Sequence, residues 1–382
     1  MIVYKDHQVW LSIIPLHTLT SDLNPIYTQH DTNNDISIAP QTVRIAAVQA
    51  QSVWLDLDGG VDKVCNIIKE TGEKGVEVLG FPEVFIPGFP FQIHTPAPDE
   101  DFVLQYRKNS LVVGSPQYNK IRRAVRDAGV WIVVGFSERL GSTLFLAQSF
   151  INPSGDVVHH RGKLKPTHVE RYLFGDGQEK SDHRCPQLLG APSIASEMQR
   201  IQSRCSDACC VMALYFPNQR DVPHFSTSDM SGDVVTRFMA IEGGCFTMTC
   251  TAIISKEGSQ TMRILSTLGG PAAVLTEGGD FSAIYSPNGR KVAQSKDQFS
   301  EELVIADVDL EEIHRHKQMA DCIDTKELHT LDVEERRLMD SSCSSRPDLF
   351  SLNVTNTAMP LAKFSDGRHI PSVAERQLPL DE

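Results

Sequence analysis

The succession of apolar runs after residue 42 constrains this chain more than any other feature. Val43-Arg44-Ile45-Ala46-Ala47-Val48-Gln49-Ala50 is β-rich and begins abruptly. Val61, Val64, Ile67 and Ile68 then recur at three- and four-residue spacing, the period of one helix face, and Gly72 and Gly75 end that face. Val76 to Phe81 predicts a second strand broken by Pro82, Tyr118 to Ala128 a helix, and Trp131 to Phe136 a buried strand. Leu144 to Asn152 predicts a further strand, and the turn Pro153-Ser154-Gly155-Asp156 leads into Val157-Val158-His159-His160 as a hairpin. Strand, helix, strand, helix and then a hairpin imply layered α/β structure with both parallel and antiparallel pairs. The pattern returns with a helix over Thr236 to Glu242 and a strand over Phe246 to Ser255. Phe281 to Tyr285 pairs with Lys291 to Ala293 across Pro287-Asn288-Gly289, followed by a strand at Leu303 to Val308 and a helix at Leu310 to Met319.

Four stretches stand apart from this pattern. Residues 1–42 read as a flexible extension, because Thr18 to Gln41 is rich in Thr, Ser, Asn, Asp and Pro without a sustained apolar period. Its apolar run Val9 to Leu16 is interrupted by Ser12 and Pro15 and preceded by a single basic residue, Lys5, which argues against a secretory signal. Residues 183–225 carry four cysteines and no period of either kind, and residues 321–345 interrupt the pattern with charge. The end of the chain, 357–382, reads as a loose tail.

Charge excludes some partners. With 36 basic and 49 acidic residues the formal charge is −13, so neither nucleic acid nor an anionic membrane surface is an expected partner. No run of eighteen apolar residues predicts a membrane-spanning helix. Nine cysteines without framework spacing read as reduced thiols, which points to the cytoplasm.

Two segments carry chemistry. In Gly80-Phe81-Pro82-Glu83-Val84-Phe85-Ile86-Pro87-Gly88-Phe89-Pro90 a carboxylate stands just past the end of a buried strand, where α/β sheets place ligands. Prolines stiffen the loop, and an apolar surround suits Glu83 to general acid or base work. Read alone, Glu83 is equally an ordinary exposed residue in a turn. The second segment is His160-Arg161-Gly162-Lys163-Leu164-Lys165-Pro166-Thr167-His168-Val169-Glu170-Arg171. A lysine beside a carboxylate site steadies negative charge developing on a substrate; read alone, the segment is a solvated basic turn.

Together these segments resemble the nitrilase branch of the carbon–nitrogen hydrolase family, and most of all its fungal nitrilase and cyanide hydratase group. Val43 to Gln49, the Phe-Pro-Glu and Ile-Pro-Gly-Phe-Pro segment, Lys163 to Thr167 with His168-Val169-Glu170-Arg171, and Phe174-Gly175-Asp176-Gly177 match in order. So do Ala240-Ile241-Glu242-Gly243-Gly244, Ser286-Pro287-Asn288-Gly289 and Ser345-Arg346-Pro347-Asp348-Leu349, so the resemblance spans residues 43–356 as one domain. It implies a four-layer α-β-β-α sandwich, a homo-oligomer, a small nitrile or cyanide as substrate, and no metal or organic cofactor. It also implies Glu83 as general base, Lys163 as charge stabiliser, Glu170 as the supporting carboxylate, and a cysteine thiolate that attacks the nitrile carbon to form a thioimidate resolved by water.

The cysteine is where this chain departs. The family nucleophile stands in Cys-Trp-Glu downstream of the lysine. The tryptophans here are Trp10, Trp54 and Trp131, and no cysteine has a Glu two places on. Cys205-Ser206-Asp207 is the nearest echo. Cys209 and Cys210 read as incidental thiols, and adjacent cysteines rarely present both thiolates to one metal ion. His314 and His316, two apart on a helix, face different ways and make poor ligands. Leu188-Leu189-Gly190-Ala191-Pro192 can be encoded so that a one-base shift reads Cys-Trp-Glu-His. Residues 183–225 then read as the nucleophile region in the wrong frame, and 321–345 as an intron read through. Two readings follow: a nitrile-directed hydrolase with doubtful activity, or an inactive relative or product of a frame-shifted gene. Deleting residues 1–42 is expected to leave the melting temperature nearly unchanged; a large fall in a thermal melt would show that the core starts earlier.

Overall fold

The computed structural model describes residues 42–94, 99–163, 166, 168–177, 229–243, 245–262, 278–279, 281–320 and 380. Apart from Thr42, which opens the first strand, the extension lies outside the described residues, as do the stretches 183–225 and 321–345, the frame-shift string Leu188 to Pro192, Cys205, Cys209, Cys210, the Ser345 to Leu349 motif and, apart from Leu380, the tail 357–382.

The described helices are α1 (Leu57–Glu73), α2 (Glu100–Lys108), α3 (Pro116–Ala128), α4 (Asp229–Gly243), α5 (Lys256–Thr261) and α6 (Glu311–Ala320). The strands are β1 (Thr42–Gln51), β2 (Val78–Gly80), β3 (Trp131–Leu140), β4 (Thr143–Ile151), β5 (Val157–Gly162), β6 (Thr247–Thr249), β7 (Thr251–Ile253), β8 (Ala283–Tyr285), β9 (Lys291–Gln294) and β10 (Glu302–Asp309). The first sheet runs β10-β1-β2-β3-β4-β5, with β7 joined to the end of β1, and the second runs β6-β8-β9. β1, β2 and β3 are parallel, whereas β10, β4 and β5 add antiparallel pairs, as the strand–helix order and the hairpin required.

Side-chain alternation explains the layering. Ala46, Val48, Leu79, Ile132, Val134 and Phe136 face one way and pack under Val61, Val64 and Ile68 of α1 and Tyr118, Ile121 and Val125 of α3. Val43, Ile45, Ala47, Val78, Val133 and Phe150 face the other way and meet Met248 and Ile284 of the second sheet. Ala240 of α4 packs with Ala283 and Tyr285 on the far side of that sheet. The result is helix, sheet, sheet, helix, as the resemblance implied. The helices start where capping chemistry directs: the Asp56, Asp99 and Ser115 side chains accept from Gly59, Phe102 and Tyr118 N–H, and Pro116 opens α3.

One predicted element is corrected. Phe246 to Ser255 is not a single strand but β6 and β7, which belong to different sheets and part at Cys250. A continuous apolar run gives no sign of which sheet each half joins. The junction is held by a buried amide: Gln49 Nε2 donates to Asp297 O and Ser300 O at 2.7 and 3.0 Å. Its Oε1 accepts from Ser282 N at 2.9 Å and Thr251 Oγ1 at 3.4 Å. Ser282 Oγ in turn donates to Val48 O at 3.1 Å. Gln49→Leu keeps the volume and strands these backbone groups, so it is expected to cost about 2–3 kcal/mol in urea unfolding; a change under about 0.5 kcal/mol would mean water replaces the amide.

Candidate active site

Glu83 owes its position to a bulge. Phe81 N donates to Val133 O at 2.9 Å and Phe85 N to Gly135 O at 2.9 Å, so three residues, Pro82, Glu83 and Val84, stand against Val134 alone. Pro82 has no N–H for the ladder, and Val84 takes a positive φ of 48°, strained for a β-branched residue. The bulge rides over the face of β3 that looks between the sheets. It fits because residue 135 is glycine: a Cβ there would stand 2.6 Å from Pro82 O and 2.9 Å from Glu83 Cα. The loop then rejoins β3, with Ser137 N donating to Ile86 O at 2.8 Å.

Lys163 comes from the far end of the same sheet. Its N–H donates to Leu146 O at 2.6 Å, which extends the β4–β5 ladder one residue past β5. Gly162 and Gly177 make this end thin: a Cβ on Gly177 would stand 2.4 Å from Gly162 O, and Gly177 N donates to Lys163 O at 2.7 Å. Glu170 lies in a 3-10 turn, His168–Tyr172, whose carbonyl at Glu170 accepts from Leu173 N and Phe174 N. Gly175 N donates to Leu144 O at 2.9 Å and ties that turn to β4.

These segments bring the sequence-predicted residues together. Lys163 Nζ stands 3.4 Å from Glu83 Oε1 and 3.0 Å from Glu170 Oε2. Glu83, Lys163 and Glu170 are 4%, 6% and 5% exposed. Neither the exposed-turn reading of Glu83 nor the solvated-turn reading of Lys163 survives those values. Fully ionised, two carboxylates and one ammonium leave a formal charge of −1 inside the protein. Such a cluster is stable only with close pairing, and it suits proton transfer and the stabilisation of charge on a bound substrate.

Among the described cysteines, Cys65 is on α1, on the helix side of the sheet, and burial pushes its thiol up to about 11. Cys250 is buried where β6 gives way to β7, and Cys245 is buried just after α4. Among the described residues no group of His, Cys, Asp and Glu is arranged to hold a metal ion. His316 Nε2 stands 3.3 Å from the backbone oxygen of Ile241.

Sequence reasoning missed Tyr106 and Ser137 around this cluster, together with the helix that carries Tyr106. α2 was legible in retrospect: Asp99 caps it, Glu100 and Asp101 fill its first turn, Arg107 and Lys108 its last, and Phe102 and Tyr106 are four apart. Gly135→Ala is expected to destabilise by about 1–3 kcal/mol through overpacking against the Glu83 bulge. Urea unfolding checks this, and an unchanged midpoint would mean the bulge does not depend on that gap.

Residues 44–318 match the carbon-nitrogen hydrolase family. A nitrilase from Penicillium rubens is 35% identical over 344 residues, covering 84% of this chain and 95% of its own. A cyanide hydratase from Armillaria gallica is 36% identical over 296 residues, covering 74% of this chain and 81% of its own. An aliphatic nitrilase from Rhodococcus rhodochrous is 33% identical, covering 82% of each chain. The solved structure of the C. elegans NitFhit protein superposes with a TM-score of 0.51 at 17% identity, over 74% of this chain and 64% of its own, a likeness of fold alone.

Proposed function

The chain belongs to the carbon–nitrogen hydrolase family, and we propose that its site is built for attack on the carbon of a nitrile or of cyanide. The observation that carries this reading is the buried Lys163 ammonium held against Glu83 and Glu170, with relatives named nitrilase and cyanide hydratase in support. In the proposed reaction a cysteine thiolate adds to the nitrile carbon. Glu83 takes the thiol proton and passes it to the nitrogen, giving a thioimidate. Lys163 steadies the charge that develops as the bond forms, and Glu170 orients Lys163. Glu83 then activates water. Addition of that water releases either the amide, with the thiol restored, or ammonia followed by hydrolysis of the thioester to the acid. The site uses no metal or organic cofactor in this scheme.

The nucleophile is the missing part. Covalent catalysis cannot begin without a thiolate beside the base, and Glu83 with Lys163 can only assist an attack. We therefore propose that the chain as written turns over nitriles or cyanide very slowly or not at all. A second reading, the product of a frame-shifted gene, is favoured by the Cys-Trp-Glu-His that a one-base shift can yield at Leu188 to Pro192. A cytoplasmic, homo-oligomeric protein is the proposed setting, the first supported by nine cysteines without framework spacing and the second by the resemblance alone.

Release of ammonia, amide or formamide from a nitrile panel and cyanide tests this. The chain as written is expected to give background rates. Restoring the shifted frame is expected to restore turnover, which Glu83→Gln and Lys163→Ala each abolish. Ordinary enzyme rates from the chain as written, stopped by Cys205→Ala, would overturn the frame reading and make Cys205 the nucleophile.

A further inference from the structure

Tyr106 contacts both chain segments that carry the carboxylates of the charged cluster. It is fully buried on α2. Its hydroxyl donates to Gly88 O at 2.9 Å, at the far end of the loop that starts with Glu83. Gly88 N donates back to Val84 O at 3.1 Å, so this bond pins a closed loop rather than a free strand. Its ring meets the edge of Phe174 with centroids 6.1 Å apart, and Phe174 N donates to Glu170 O at 2.9 Å. One side chain thus spans the Glu83 loop and the Glu170 turn, which are 87 positions apart in the sequence.

Ser110 Oγ donates to the Tyr106 carbonyl at 2.9 Å. Its one proton is used there, so Ser137 Oγ donates to Ser110 Oγ at 2.9 Å, and the pair holds the backbone of Tyr106 against β3. Burial, with the charges of Glu83 and Glu170 adding to it, holds the phenol's ionisation well above the ordinary tyrosine range, so it stays a neutral donor.

We infer that Tyr106 is a positioning residue, whose hydroxyl on Gly88 and ring on Phe174 fix the gap between the Glu83 loop and the Glu170 turn and so keep the Lys163 ammonium against both carboxylates. Its meaning for catalysis rests on the proposed roles of Glu83 and Lys163; its geometry is tested without turnover. Tyr106→Phe keeps the ring and removes the anchor. Phe85 N on Gly135 O, Ser137 N on Ile86 O and Leu55 N on Pro87 O still bind the loop, so the expected result is a displaced Glu83 in a folded protein.

Competitive acylation of the full chain with a trace of acetic anhydride across a pH series, read lysine by lysine by mass spectrometry, reports how firmly each ammonium is held. In the unaltered chain Lys163 is expected to react at least about tenfold more slowly than Lys69, whose side chain is 78% exposed. In Tyr106→Phe its rate is expected to rise about tenfold, with Lys69 and Lys291 unchanged. Ser137→Ala, which leaves Tyr106 in place, is expected to give a smaller rise of the same kind and serves if Tyr106→Phe does not fold. An unchanged Lys163 rate in either folded variant would overturn the inference, as would a rise shared by every lysine, which reports general loosening. Failure of the frame-restored chain to hydrolyse nitriles would count against the proposed reaction and leave these rates as predicted.

Discussion

An ammonium buried between two carboxylates is the constraint on which the rest of this site depends. Each of these charges loses several kcal/mol of hydration on burial, and only close, fixed pairing offsets the loss. Lys163 lies 3.4 and 3.0 Å from its two partners, so three chain segments must meet within a few tenths of an ångström. The backbone is shaped to allow it. Gly135 leaves room for the Glu83 bulge to cross β3, Val84 accepts an unfavourable φ at the crest, and Gly162 and Gly177 let the Lys163 end of β5 lie against the chain that leaves the Glu170 turn. Stability given up in glycine and strain is recovered as geometry in the cluster.

What was legible in the sequence follows from period and punctuation. β1, β3 and β4, α1 and α3, and the β4–β5 hairpin rest on alternation or helical spacing strong enough to survive without context, and their ends shift by only a few residues. Pro82 after an apolar run placed Glu83 at a strand end, although nothing local told a buried carboxylate from an exposed one. That distinction depends on Gly135, more than fifty positions away, and on the return of β5 beside β4. The parting of β6 from β7 at Cys250 was illegible for the same reason, since burial on two sheets gives one uninterrupted apolar run. α2 is a different case: its caps and charges were readable, but attention to apolar runs passed over a short helix with two large buried residues. The motifs that carried the family resemblance also located Lys163 and Glu170, whose approach to Glu83 no local pattern contains.

In the proposed reaction the described cluster is half of the machinery. Glu83, Lys163 and Glu170 are assembled by segments with strong local signals, and they would assemble whether or not a nucleophile joined them. The thiols that the described residues contain are buried in the core or raised by burial, as Cys65 is, and neither condition makes a nucleophile at neutral pH. The reading of residues 183–225 as a wrong frame places the missing nucleophile in that stretch and leaves the charge cluster intact.

Alkylation of the full chain at neutral pH with substoichiometric iodoacetamide, mapped cysteine by cysteine, tests that division most directly. A thiolate seated beside Glu83 and Lys163 would react far faster than an ordinary thiol. The account predicts that none of the nine cysteines is alkylated faster than a free model thiol. One cysteine labelled at least about a hundredfold faster, and slowed by Glu83→Gln, would contradict it and identify the nucleophile.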